Sequence, residues 1–144
     1  MFIKQLSVFI ENQKGRLGEV LDVLKAAHVS VISLSLADTS EYGLLRLITN
    51  DPQTGWLALK EKGFSAMLSD VLAVKLSHHV GSLQEVLSHV CEAGLNVEYM
   101  YALTNKEDDA SIICKISNGD EAAELLKSRD VTLYSQEDLT RMFR

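Results

Sequence analysis

The chain has 144 residues, 47% of them hydrophobic, and a formal net charge of −6. That length buries a real core, as one domain or as two small ones. The acidic balance speaks against a nucleic-acid partner, which calls for an excess of Lys and Arg; no apolar run is long enough to span a bilayer, and Cys91 and Cys114 are too few for a disulfide framework.

In chain order, residues 3–11 alternate, with Leu6, Val8 and Ile10 on one face, and read as a strand. The opening MFIKQLSV is part of that strand and not a signal peptide, because no small-residue cleavage site follows. With only two cysteines, the context reads as cytoplasmic. A polar loop follows, Asn12-Gln13-Lys14-Gly15. From Arg16 the period changes: Leu17, Val20, Leu21, Leu24 and Ala27 stand at helical spacing. Residues 29–36 are rich in β-branched side chains and read as a strand, 38–43 as a turn, and 44–49 as the returning hairpin strand. Asp51-Pro52 opens a second helix, since proline is tolerated in a first turn. It ends near Gly63, and 64–69 is a fourth strand. The order is βαββαβ.

That order is then used again. GRLGEVLDVLKAAHVSV at 15–31 lies over GSLQEVLSHVCEAGLNV at 81–97, with Gly15/Gly81, Leu17/Leu83, Glu19/Glu85, Val20/Val86, Leu21/Leu87, Ala27/Ala93 and Val31/Val97 identical. The second copy reads as strand 71–77, helix 82–93, strand 95–104, strand 110–117, helix 119–128 and strand 130–135, with a tail at 136–144 that can form a helical turn or two. The expected domains are 1–69 and 70–144, divided only by Ser69-Asp70, and each of about 70 residues is small enough to need the other. The fold class is α+β: βαββαβ is the ferredoxin-like arrangement, here twice, with antiparallel sheets and helices on one face.

A strand ending in a polar residue, a short loop with Gly, then small-x-Leu opening a helix, as in ENQKGRLGEVLDVLKAAHVSV, resembles the ACT domain. The resemblance covers nearly the whole chain, as two copies. It implies a regulatory protein that binds a small ligand, most often a free amino acid, where the loop and helix start meet strand two of a neighbouring ACT unit. On that reading Asn12, Lys14, Gly15, Arg16 and Leu17 hold the carboxylate end. Val31, Ile32 and Ser33, or their counterparts Asn96, Val97 and Glu98, meet the ammonium. His79, Gly81, Ser82 and Leu83 form the second loop. The physics supports it independently. Gly15 and Gly81 let a backbone approach a ligand with no Cβ in the way. The helix N-termini behind them present N–H groups and partial positive charge, which suit a carboxylate. The bland alternative is that each glycine only makes a turn.

Other residues have plainer readings. His78 and His79 are adjacent, so they point different ways in extended chain; this disfavours a metal and leaves ligand contact by one of them. Glu19 and Glu85 suit a solvated helix face, or a place near the helix dipole. Cys114 alternates with Ile112 and Ile116 as a core residue. Glu107-Asp108-Asp109 is a solvated hairpin tip. Tyr99 and Tyr101 share a strand face opposite Met100, and apolar character on both faces predicts a covered surface and a homodimer. No Ser/His/Asp set, carboxylate pair or Gly-rich phosphate loop supports catalysis, and no cofactor is implied. The competing class is an interaction module or regulatory subunit of a metabolic enzyme that senses nothing itself.

Overall fold

The alternation at the N-terminus forms β1 (Ile3–Glu11) in the computed structural model, which describes residues 2–77, 79–103 and 110–142. Then follow α1 (Arg16–Ala26), β2 (Val31–Asp38), β3 (Tyr42–Thr49), α2 (Pro52–Glu61), β4 (Ser65–Lys75), α3 (Ser82–Glu92), β5 (Val97–Ala102), β6 (Ser111–Ile116), α4 (Gly119–Ser128), β7 (Leu133–Tyr134) and α5 (Gln136–Met142). The expected solvated tip at 107–109 and His78 lie outside the described residues. The chain divides into two compact units, Lys4–Ser69 and Asp70–Arg144, the second including Met1–Ile3.

In the first unit the strands run in the order β2-β3-β1-β4. β1 pairs antiparallel with β3, Leu6 opposite Leu47 and Val8 opposite Leu45, so both strands turn the same apolar face to α1 and α2. Leu6, Val8, Ile10, Val20, Leu24, Leu45, Leu47, Leu59 and Phe64 fill that core. Asp51 caps α2, accepting from the Thr54 N–H at 3.1 Å, ahead of Pro52 at the helix start. Gly55 lets α2 sit close, because a Cβ there would lie 3.2 Å from Leu24 and 3.3 Å from Leu6.

The second unit repeats the plan, with β5, β6 and β4 adjacent in that order and β7 on the other side of β4. Leu72, Val74, Leu76, Val86, Val90, Ile112, Cys114, Ile116 and Leu126 make its core, and Phe2 packs against it. Met100 pairs with Cys114 on the helix-facing side and Tyr99 with Lys115 on the other, as the alternation requires.

Several strand ends shift by about two residues, β2 to Val31–Asp38, β3 to Tyr42–Thr49 and β5 to Val97–Ala102, and three larger differences have physical causes. No break occurs at Ser69-Asp70: β4 is one strand, since neither residue lacks a backbone donor or forces a turn. The strand expected at 130–135 shrinks to Leu133–Tyr134, because Asp130, at φ 60°, is in left-handed backbone that ends α4. The tail is a true helix, α5, capped reciprocally by Ser135 and Asp138.

Candidate functional site

The first loop connects β1 to α1 through Asn12–Gly15. Gly15 is the N-cap at φ 87° and no side chain caps the helix. Left-handed backbone of this kind is open to glycine and strained for other residues. A Cβ on Gly15 would meet nothing within 4 Å, so the space beside it is free. Asn12 is committed to the scaffold. Its backbone N–H donates to the Glu41 carbonyl at 2.9 Å, and its side-chain amide donates to the carbonyls of Thr39 (3.2 Å) and Ser40 (3.4 Å). Lys14 is exposed. Arg16 turns back along its own helix: Nη1 lies 2.6 Å from Glu19, and the guanidinium sits 4.8 Å from the centre of the Phe64 ring. Leu17 and Val31 pack on the core.

The predicted set does not gather within this unit. The loop meets Thr39 and Ser40, beyond the C-terminal end of β2, whereas Val31, Ile32 and Ser33 lie at its N-terminal end. Eight residues of strand separate the two by roughly 23 Å.

The second loop has the same design. Gly81 is an N-cap at φ 89°, again with no side-chain cap and nothing within 4 Å of a Cβ. The Ser82 N–H donates to the His79 carbonyl, and His79 Nε2 lies 3.2 Å from Glu85 Oε1. Leu83 and Val97 pack on the core. Asn96 is clipped to the end of β6: its N–H donates to Ser117 Oγ at 2.9 Å, and the Ser117 N–H donates to its carbonyl. Glu98 is exposed. Glu19 and Glu85, expected on a solvated face, are exposed but paired with groups at the start of their own helices. Among the described residues no three His, Cys, Asp or Glu side chains gather as a metal would need, and no helix is long and apolar enough to cross a membrane.

Burial pushes the Cys114 thiol up to about 12, as its core position requires. One feature escaped the sequence reading. A cavity of about 270 Å³ opens in the second unit between β4, α3 and the turn after α4. The signal that points to it is where the two repeats exchange a large residue for a small one, Arg16 for Ser82 and Phe64 for Val131, and that exchange matters only once the fold sets those positions side by side.

A family model described as an ACT domain pair matches residues 1–143. Among solved structures, protein BT0572 from Bacteroides thetaiotaomicron is 36% identical with a TM-score of 0.91, over 97% of this chain and 96% of that one. The regulatory subunit of aspartate kinase from Thermus flavus has a TM-score of 0.61 at 19% identity, over 86% of this chain and 88% of that one. The ligand-free form of that subunit from Thermus thermophilus has a TM-score of 0.60 at 19% identity, over 87% and 91%. At that identity the two subunits share the fold. No curated protein matches the chain.

Proposed function

The chain belongs to the family of ACT domain pairs, and from that premise we propose that it is a non-catalytic regulator that binds a free amino acid and passes the occupancy on through the packing of its units or subunits. The observation that carries the reading is the repeated helix start: twice, a left-handed glycine leads into a helix whose N-terminus no side chain caps. Such a terminus accepts a carboxylate through the helix dipole and the first-turn N–H groups beyond Arg16 and Ser82, whose own N–H groups donate to the Gln13 and His79 carbonyls. The carboxylate sits against Gly15, Arg16 and Leu17, with Lys14 supplying charge, or against Gly81, Ser82 and Leu83. The ammonium is met by strand two of a neighbouring unit, at Val31–Ser33 or at Asn96–Glu98, because the loop's own strand is too far away. That the fold is shared with regulatory subunits of aspartate kinase supports a regulatory role.

A homodimer follows from the same reasoning. β2 ends the strand order, and Leu34 and Leu36 on it are 47% and 44% exposed, apolar surface that a second copy would cover. The free thiol of Cys91, which is exposed, suits the reducing cytoplasm. The same apolar strand favours a second reading, in which the surface docks on a metabolic enzyme and no ligand is sensed.

Melting curves with each of the twenty amino acids test the proposal. A ligand at a hundredfold excess over its dissociation constant stabilises the fold by about 2.7 kcal/mol, a shift on the order of 5–10 °C for a chain of this size. Gly15→Val, which adds bulk beside the open space, should remove the shift due to the first loop and leave the circular dichroism spectrum near wild type. A ligand-induced shift that survives both Gly15→Val and Gly81→Val would rule out the loops as the site.

A further inference from the structure

The cavity in the second unit is a surface cleft lined by the end of β4, the start of α3 and the turn from α4 to β7, with Ser82, Glu85, His89, Arg129, Asp130 and Thr132 among its walls; Glu85, Arg129 and Asp130 are exposed. Its volume, about 270 Å³, is near the lower end of the ~300–1,000 Å³ of small-molecule pockets. The internal repeat explains why it exists. Ser82 stands where the first repeat has Arg16, and His89 where it has Val23. Val131 stands where it has Phe64, an equivalence fixed by the backbone: the Phe64 N–H donates to the Leu59 carbonyl and the Val131 N–H to the Leu126 carbonyl, each at a helix end. In the first unit the place is filled, with the Arg16 guanidinium 4.8 Å from the Phe64 ring centre and its Nε buried. In the second unit both large groups are absent, and the walls carry hydroxyls and charges instead.

We infer that this cavity is a binding site for a compact amphoteric solute, an α-amino acid with a short side chain, held by residues of the second unit alone. Both signs of charge line it. Arg129, His89 and the Ser82 and Thr132 hydroxyls can donate to a carboxylate; Glu85 and Asp130 can accept from an ammonium. A simple anion would face two carboxylates, and a simple cation would face Lys75 and Arg129. A solute with both charges pairs with each. The site touches the second loop at Ser82 but differs from the loop site in the rest of its walls: it needs no strand from another unit and uses neither Gly15 nor Gly81.

Backbone amide spectra of the whole ¹⁵N-labelled chain, titrated with glycine, L-serine and L-aspartate to about 10 mM, tenfold above a millimolar dissociation constant, test it. At least one should move the resonances of 82–89 and 129–132 in a saturable way. Ser82→Arg, which restores the first repeat's plug, should weaken that binding by roughly tenfold or more, the loss of about one polar contact. Arg129→Ala, at an exposed position, should do the same without touching the core. No movement at 82–89 and 129–132 with any of the three would overturn the inference, as would equal movement in both variants. Sodium phosphate moving the same resonances as strongly would also overturn it, in favour of an anion site. Movement confined to 12–17 and 31–33, or to 79–83 and 96–98 with 129–132 still, would leave the loop reading standing and remove this one.

Discussion

Gly15 and Gly18 sit three residues apart and should respond to alanine in opposite directions. Gly15 holds φ 87°, so Ala there costs about 1 kcal/mol of backbone strain although no atom is in its way. Gly18 lies within α1 with nothing within 4 Å of a Cβ, and Ala there gains about 1 kcal/mol of helix propensity. Denaturant midpoints should move down for the first and up for the second; two shifts of the same sign would contradict the local geometry. The cysteines offer a second contrast. Cys91 is exposed, whereas Cys114 is buried with its thiol pushed up to about 12. The thiolate is the reactive form, so a thiol reagent near pH 8 should label Cys91 in the native protein and reach Cys114 only on unfolding. Simultaneous labelling of both would mean that the second core is open. At this scale the glycines and the core place of Cys114 were legible, because spacing and alternation are local. The direction of Arg16 was not, because its stacking partner Phe64 comes from the far end of the unit.

Elements whose punctuation is local matched the sequence well. β1 and α4 have the expected bounds, and Asp51-Pro52 opens α2. What failed was the expected strand break at the joint between repeats: the compact units do divide between Ser69 and Asp70, yet nothing in that polar pair stops a strand, and β4 runs through. α5 was half-visible, and its stability rests on the Ser135–Asp138 box. The Ser135 N–H, 2.8 Å from Asp138 Oδ2, holds that carboxyl below the ordinary aspartate range, aided by the Ser135 hydroxyl and Arg141. A lowered carboxyl pKa stabilises the fold above the unfolded value of about 3.9, and the contribution is lost as pH falls through the folded value. Asp138→Asn should therefore speed amide exchange across 139–142 at neutral pH. The gap from wild type should close once the pH is low enough to protonate Asp138. A gap that persists unchanged in acid would mean that packing of Leu139, and not the box, holds the helix.

For the whole molecule, duplication is the property from which the rest follows. Because the units are copies, they inherit the same loop and the same core plan, and their differences show where one copy was free to change. The repeat and its ferredoxin-like order were readable from identities at 15–31 and 81–97. The cavity was not, because volume lost at Ser82 and Val131 is felt only where α3 and the turn after α4 meet. Core loss should act within one copy first. Leu24→Ala, at a site 1% exposed in the first core, should cost about 2–5 kcal/mol. Amide exchange should report that loss in the first unit, and uniform protection across it would count against a packed core there. The central claim is that the chain binds a free amino acid. Isothermal titration calorimetry of the full chain with each of the twenty amino acids tests it most directly. The account predicts saturable heat for at least one of them, with a dissociation constant in the micromolar to millimolar range, about −8 to −4 kcal/mol. No heat from any amino acid at millimolar concentration, together with a folded chain, would contradict it and leave the docking module as the function.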